Sequence, residues 1–97
     1  MLDPDRNALI TLRVVFYGHV QGVGFRYTAH QIAKRHAVTG YVKNEPDGTV
    51  ELLVSGARSV VTQFLDDIDA TFVDHITNRL TSDMPELPAF DGFRIRR

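Results

Sequence analysis

The stretch GHVQGVGFR, residues 18–26, stands between two segments of different periodicity and contains three glycines followed by an arginine. Before it, residues 9–17 alternate, which predicts a half-buried strand with one face formed by Ile10, Leu12, Val14 and Phe16. After it, helical spacing predicts an amphipathic helix whose apolar side carries Phe25, Ala29, Ile32, Ala33 and Ala37. The glycines therefore connect a strand to a helix, and their tolerance of positive φ suits either a tight turn or a loop that binds an anion.

Two further strand-like runs predict a β-hairpin. They are VTGYVKN at residues 38–44 and TVELLVS at residues 49–55. The residues between them, 45–48, read Glu-Pro-Asp-Gly, and this turn chemistry favours a tight connection. We therefore expect the two strands to pair in antiparallel fashion.

The second half of the chain predicts one helix and two strands. After a break at Gly56, apolar residues at helical spacing run from Arg58 to about Ala70. Residues 75–82 and 93–96 are the predicted strands, and the two prolines between them indicate a loop from Met84 to Asp91.

The resulting order is strand, helix, strand, strand, helix, strand, with a final strand added. This order predicts the α+β class and a ferredoxin-like split β-α-β sandwich, in which two helices cover one face of an antiparallel sheet. At 97 residues the chain suffices for a single domain. We assign that domain to residues 8–97 and expect residues 1–7 to form a mobile N-terminal tail.

The composition excludes several classes of function. The chain has no cysteine, so it has neither a disulfide framework nor a thiol nucleophile. Its net charge of -1 gives no global field that would attract nucleic acid. Neither a secretory signal nor a membrane span is visible in the sequence. We expect a cytoplasmic monomer with no nucleic-acid or membrane partner.

Arg26 stands in the first turn of the predicted helix, where the positive end of the helix dipole disfavours a cation by about 0.3–1 kcal/mol. An anion bound between the glycine loop and the helix would remove this conflict, because backbone N–H groups and the guanidinium would face one negative charge. A phosphate is the natural candidate, although the loop fits neither the Walker pattern nor the dinucleotide fingerprint. A glycine-rich connection followed by an exposed arginine fits the same residues, so both interpretations stay open.

Asn44 ends the first strand of the predicted hairpin, and by strand parity its side chain shares a face with Val42. If that face lies toward the helices, the amide needs hydrogen-bond partners, which makes Asn44 a candidate site residue. A role in capping the turn that contains Pro46 is the alternative. Asn44 and Arg26 support each other only if the strand end and the glycine loop are neighbours in space.

The remaining charged and titratable residues predict no further site. The four histidines show neither an i, i+4 pair nor an HExxH pattern, so we predict no metal site. The aspartates at 66, 67 and 69 are interpreted as a solvated helix face. The arginines at 94, 96 and 97 are interpreted as protection of an edge strand against pairing with another chain.

GHVQGVGFR at residues 18–26, followed by GYVKN at residues 40–44, resembles the acylphosphatases, whose signature joins a G-x-V-Q-G-V-x-F-R loop to a downstream G-[WY]-V-x-N strand. The resemblance is strong from Val14 to Ser55 and weak at the closing FRIR. The sequence departs from the family at His19, where many relatives carry arginine, and fits the family pattern poorly from Thr71 to Asp91.

The resemblance implies an enzyme that hydrolyses the carboxyl-phosphate bond of small-molecule acyl phosphates to a carboxylate and inorganic phosphate, without a metal or cofactor. Arg26 would hold the phosphoryl group together with loop amides, and Asn44 would position the attacking water. The loop positions expected to bind the substrate are His19, Val20, Gln21, Gly22, Val23, Gly24 and Phe25. Phosphoryl transfer depends mainly on positioning and charge stabilisation, so the absence of an evident general base is tolerable, and we expect the substrate phosphate to help accept the proton of the water.

The alternative function is a non-catalytic or carbamoyl-phosphate-handling anion-binding domain of a larger maturation factor. A related domain stands at the N-terminus of hydrogenase-maturation carbamoyltransferases, in which the loop typically continues FRPF. Here Tyr27 and Thr28 follow Arg26, as in stand-alone acylphosphatases, and the end of the chain just after the last predicted strand favours an independent protein. An RNA-binding module of the same topology is disfavoured, because TVELLVS carries no aromatic side chain for base stacking.

Overall fold

The chain forms its secondary structure in the predicted order. The structure, a computed structural model, describes residues 6–85 and 90–97. Its strands are β1 (Leu9–Gly18), β2 (Thr39–Asn44), β3 (Val50–Ala57), β4 (Ile76–Asp83) and β5 (Phe93–Arg96). Its helices are α1 (Phe25–Ala33) and α2 (Arg58–Thr71).

The strands form one sheet in the order β4-β1-β3-β2-β5. The pairs that β1 makes with β3 and β4 are antiparallel, and so is the predicted hairpin of β2 and β3. The ferredoxin-like α+β fold is therefore confirmed. The sheet is antiparallel, as predicted, except that β5 pairs with β2 in parallel.

The end of β4 explains the direction of β5. Asp83, at the end of β4, pairs with Leu12 of β1, and Leu12 pairs with Val54 of β3. Val54 also pairs with Gly40 near the start of β2. The end of β4 and the start of β2 therefore lie at the same end of the sheet. β5 begins at that end as well, because Phe93 pairs with Gly40. A strand that starts beside the start of β2 runs parallel to it. Of the predicted loop at residues 84–91, positions 86–89 lie outside the described residues.

Two predicted boundaries are wrong. Helix α1 ends at Ala33, and Ala37 lies exposed beyond it, because the N–H groups of Arg35 and His36 donate to carbonyls three residues back and tighten the chain into a turn. Strand β3 continues through Gly56, which pairs with Ile10 instead of ending the strand. The sheet register overrides the local tendency of glycine to break a strand.

The core lies between the two helices and one face of the sheet, as predicted. The sheet contributes a layer of fully buried side chains from three strands, namely Val14, Phe16, Val42, Val50, Leu52 and Val54. The helices cover this layer with Phe25, Ala29, Ile32, Val61, Phe64, Leu65 and Ile68. The buried face of β2 is the face that also carries Asn44, since Val42 and Asn44 share strand parity.

The residues before β1 attach to the start of α2. The N–H of Arg58 donates to the carbonyl of Ala8 at 3.0 Å, and the N–H of Ser59 donates to the carbonyl of Arg6 at 2.9 Å. These bonds satisfy N–H groups that an α-helix leaves unpaired at its first turn. Residues 1–5 of the predicted mobile tail lie outside the described residues, so the tail and the domain boundary stay predictions.

Gly40 is a position in β2 where a side chain has no room. Its φ is +142°, and a Cβ atom there would lie 1.8 Å from the carbonyl oxygen of Leu53. We expect Gly40→Ala to lower the free energy of unfolding by more than about 3 kcal/mol, because backbone atoms of β3 must move. Denaturant unfolding followed by circular dichroism measures the loss.

Gly48→Ala is the matched control for this prediction. Gly48 also has a positive φ, +92°, but no atom lies within 4 Å of a Cβ built there. This variant should lose only the about 1–2 kcal/mol that a left-handed conformation costs an L-residue. Equal losses of unfolding free energy in the two variants would contradict a steric clash at position 40 and would leave backbone conformation as the sole cause.

Candidate active site

The glycine loop between β1 and α1 is held by apolar side chains and turned by glycines. Val20 is fully buried and Phe25 is only 2% exposed, so both ends of the loop are anchored in the core. Between them Gly22 and Gly24 are exposed, with φ angles of +78° and +77°. Residues with a Cβ atom rarely adopt these angles, which explains why the loop needs glycine at these two positions.

The backbone N–H groups at the start of α1 are left without backbone partners. The first backbone hydrogen bond of the helix runs from the N–H of Thr28 to the carbonyl of Gly24, at 3.0 Å. From Val20 to Tyr27, no backbone N–H donates to a backbone carbonyl within the described part of the chain. Helix α1 also has no side-chain cap and no acidic residue in its first turn. This end of the helix therefore carries a partial positive charge of about half an elementary charge, and it suits an anion.

Arg26 and Asn44 line the same pocket, which meets the condition under which the two candidate residues support each other. The pocket has a volume of about 240 Å³ and is lined by Val20, Gly22, Gly24, Phe25, Arg26, Tyr27, Asn44 and Ile95. The guanidinium of Arg26 donates from Nη1 to the carbonyl oxygen of Arg96 at 3.0 Å, so β5 helps to orient it. The strand end and the glycine loop are thus neighbours in space.

The side-chain oxygen of Asn44 is buried without a hydrogen-bond partner among the described residues. An unsatisfied buried acceptor costs about 1–3 kcal/mol, so native structures rarely keep one without a reason. A ligand or water that donates a hydrogen bond to this oxygen would recover that free energy. The face that Asn44 shares with Val42 does lie toward the helices, which is the condition on which its candidacy depended.

Three of the predicted substrate-binding positions lie outside the pocket lining. His19 is exposed, and its N–H donates to the carbonyl of His75 at 2.9 Å. Val23 packs against the core. Gln21 points to the hairpin instead of the pocket, as its side-chain hydrogen bonds show. Val20, Gly22, Gly24 and Phe25 do line the pocket.

Gln21 links the glycine loop to the turn of the β2–β3 hairpin. Its Nε2 donates to the carbonyl of Glu45 and to the carbonyl of Thr49, both at 2.8 Å. The same turn is held by Asp47, whose Oδ1 accepts from the N–H of Thr49 at 3.0 Å and from its hydroxyl at 2.6 Å. These bonds from Thr49 hold the pKa of the Asp47 carboxyl below its ordinary value. Gln21 therefore aligns the loop with the strand end that carries Asn44.

Tyr27 and Ile95 line the pocket, and analysis of the sequence missed both. Tyr27 follows Arg26 directly, so its proximity to an anion site was a usable signal. No signal in the sequence marked Ile95, because this residue reaches the pocket only through the parallel pairing of β5 with β2, in which it lies opposite Val42.

The opposite, open face of the sheet carries a hydrogen-bonded group of three side chains, one each from β1, β2 and β3. The hydroxyl of Tyr41 donates to Oε1 of Glu51 at 2.5 Å, and Nε of Arg13 donates to Oε2 at 2.7 Å. Burial and the contact with Glu51 raise the pKa of Tyr41 to about 12. Burial alone would raise the pKa of Glu51, but the hydrogen bonds from Tyr41 and Arg13 outweigh it and lower that pKa.

Within the described ranges 6–85 and 90–97, no set of three or more histidine, aspartate or glutamate side chains is grouped so as to hold a metal ion. Neither helix there combines the length and the apolar composition that crossing a membrane requires.

The pocket lies within a region that matches a known family. The acylphosphatase family model matches residues 12–95, a range that includes every residue lining the pocket. The chain belongs to the acylphosphatase family. It is 45% identical over 76 residues to a Pediococcus pentosaceus protein named acylphosphatase, covering 77% of this chain and 82% of that protein. A protein of the same name from Bacillus licheniformis is 36% identical over 88 residues, 90% of this chain and 98% of that relative.

Solved structures show the same fold. The crystal structure of acylphosphatase from Bacillus subtilis matches with a TM-score of 0.81 and 28% identity, covering 91% of this chain and 99% of that chain. HypF of T. kodakarensis matches with a TM-score of 0.79 and 27% identity, covering 91% of this chain but 12% of the HypF chain. The resemblance to acylphosphatases, the ferredoxin-like fold and the assignment of the chain as a hydrolase are thereby confirmed.

Replacing Gln21 tests how the loop is held. Gln21→Ala removes two hydrogen bonds and leaves the carbonyls of Glu45 and Thr49 without this donor. We expect the free energy of unfolding to fall by about 1–3 kcal/mol, measured by urea unfolding. Gln63→Ala, at an exposed position of α2, should change it by less than about 0.5 kcal/mol. Indistinguishable urea midpoints for the two variants would show that the link contributes nothing to stability.

The raised pKa of Tyr41 predicts a loss of stability in alkali. Between about pH 10, where an unfolded tyrosine titrates, and about pH 12, the folded state retains a proton that the unfolded state has lost. The free energy of unfolding should therefore fall as pH rises through this range. Tyr41→Phe should be less stable at pH 8 and should lose less on going to pH 12. Parallel pH profiles for the parent and the variant would refute this assignment.

Proposed function

We propose that this protein hydrolyses acyl phosphates at the pocket between the glycine loop and the end of β2, and that the products are a carboxylate and inorganic phosphate. One observation carries the proposal: the guanidinium of Arg26, the side-chain oxygen of Asn44, which has no partner among the described residues, and the backbone of Gly22 and Gly24 all border one small pocket. The names of the curated relatives agree with this activity.

The phosphoryl group would bind at the N-terminus of α1. Arg26 and the backbone N–H groups of the loop converge on this end, and each is a donor without a competing acidic residue in the first turn. A guanidinium binds phosphate through two parallel hydrogen bonds, which fixes orientation as well as charge. The pocket volume of about 240 Å³ lies below the about 300–1,000 Å³ of typical small-molecule sites, which favours a small substrate.

Asn44 would position the attacking water. Its Oδ1 accepts a hydrogen bond from the water, which directs a lone pair of the water oxygen toward phosphorus. The bond between that oxygen and phosphorus forms as the bond between phosphorus and the acyl oxygen breaks. The carboxylate leaves with the electron pair, and one proton of the water goes to a phosphoryl oxygen. No general acid is required, because a carboxylate is already a good leaving group.

Stabilisation of charge supplies most of the catalysis in this scheme. The equatorial phosphoryl oxygens carry the charge in the transition state, and Arg26 with the loop amides faces them. Neither a metal ion nor a cofactor has a step in this mechanism. A monomeric state, a cytoplasmic location and the absence of nucleic-acid or membrane partners stay predictions.

Hydrolysis of benzoyl phosphate in the presence of EDTA, followed by absorbance, tests the proposal. We expect the parent to turn over and both Arg26→Ala and Asn44→Ala to lose about 100-fold or more in kcat/KM, because the first variant loses a charged donor to the phosphoryl group and the second loses the acceptor that positions the water. Arg26→Lys should recover only part of the rate, because an ammonium group lacks the planar fork.

Arg35→Ala and Asn78→Ala are matched controls, since both residues are exposed and neither lines the pocket. They should keep the parental rate within about twofold. All variants are checked for folding by circular dichroism. If the folded parent hydrolyses neither benzoyl nor carbamoyl phosphate, the enzyme proposal fails and the loop is an anion-binding element, as in the alternative function considered from the sequence.

A further inference from the structure

Two large apolar side chains lie exposed at the pocket that holds Arg26 and Asn44. Tyr27 is 65% exposed and Ile95 is 42% exposed, and both line this pocket. The other exposed large hydrophobic residues in the described part of the chain, Leu9, Val73 and Leu80, do not line it. Single exposed apolar residues are ordinary, but two at the rim of one small pocket call for an explanation.

The fold places these side chains beside the polar end of the pocket. Ile95 pairs with Val42 across β2 and β5, and Asn44 shares the strand parity of Val42, so Ile95 and Asn44 lie on the same face of the sheet. Tyr27 follows Arg26 in the first turn of α1. The polar groups of the pocket therefore lie next to an apolar surface, formed by Tyr27 and Ile95, that has no role in binding the phosphoryl group.

We propose that Tyr27 and Ile95 form the binding surface for the acyl group and select acyl phosphates with an aromatic or branched aliphatic acyl part. This inference rests on the proposed function, because it assigns the second half of the same substrate. Once Arg26 and the loop amides hold the phosphoryl group, the acyl group projects from it toward the open rim of the pocket. An apolar acyl group covers Tyr27 and Ile95 and removes their surface from water. Acetyl or carbamoyl groups are too small to do so.

A neighbouring depression suggests the main competing substrate class. It shares Ile95 with the pocket and is lined also by His30, Asp91, Phe93 and Arg94. The guanidinium of Arg94 would suit an acyl phosphate with a second anionic group. However, Nε of Arg94 donates to the backbone carbonyl of Asp91 at 3.1 Å, and its Nη2 lies 3.4 Å from the Asp91 carboxylate. The Asp91 carboxylate thus offsets the charge of Arg94 in this depression, which favours an apolar acyl group over an anionic one.

The test compares benzoyl, acetyl and succinyl phosphate as substrates. For the parent, kcat/KM should be highest for benzoyl phosphate. Tyr27→Ala and Ile95→Thr should each lower the benzoyl value about three- to tenfold, mainly through KM, and change the acetyl value less than about twofold, because the lost contact is with the acyl group alone. Tyr27→Phe keeps the ring and should keep the preference. Threonine at position 95 retains the β-branch that suits an edge strand.

Two readouts separate this inference from structural damage. Inhibition by inorganic phosphate reports on the phosphoryl end of the pocket, so its Ki should stay within about twofold in Tyr27→Ala and Ile95→Thr. Val73→Ala, at a position 69% exposed and outside this pocket, is the control for loss of an exposed apolar side chain. It should leave the ratio of benzoyl to acetyl kcat/KM unchanged.

The outcomes are distinct. A parent that hydrolyses none of the three substrates overturns the proposed function itself. A parent that is active, with variants that lose equally on benzoyl and acetyl phosphate or with a changed phosphate Ki, overturns the acyl surface and leaves the proposed function intact. A parent that prefers succinyl phosphate also overturns the acyl surface of Tyr27 and Ile95, and it assigns binding of the acyl group to His30 and Arg94. A selective loss on benzoyl phosphate alone supports it.

Discussion

The register of β1 against β3 decides where the site can form. Phe16 pairs with Val50, and Val50 also pairs with Asn44, so three strands are level at one end of the sheet. The glycine loop leaves β1 just beyond this level, and the hairpin turn lies at the same end. The register of the strands therefore brings Asn44 beside the loop. The hydrogen bonds from Gln21 to the turn then hold the two parts together.

The site combines several local features that are unfavourable in the free protein. Arg26 places a cation at the positive end of α1, which costs about 0.3–1 kcal/mol. The loop N–H groups lack backbone partners in the described chain, and so does the side-chain oxygen of Asn44. In the proposed function, a bound phosphoryl group would offset the charge of Arg26 and accept from N–H groups at the start of α1, and a bound water would donate to Asn44. Such violations of local rules are typical of functional sites, and the well-packed core beneath the loop supplies the stability that offsets them.

β5 serves two purposes in this fold. It is an edge strand, as the alternating arginines predicted, and charged side chains on an exposed edge oppose pairing with another chain. Its inner side belongs to the pocket, because the carbonyl of Arg96 accepts from Arg26 and Ile95 lines the wall. The parallel pairing with β2 produces both effects, since it turns Arg94 and Arg96 to the open face and Ile95 to the face of Asn44.

The sequence by itself determined the order of the elements, the hairpin, the two helices and the pair Arg26 and Asn44 as candidates. Each of these depends on periodicity, turn chemistry or dipole arguments that involve residues close together in the chain. The tertiary structure alone decided that β3 continues through Gly56, that β5 runs parallel to β2 and that Gln21 points away from the pocket. It also brought Ile95 to the pocket that Arg26 and Asn44 line. The register between strands distant in the chain decides these features, because a strand's own residues specify which side chains share a face but not which strand will lie beside it.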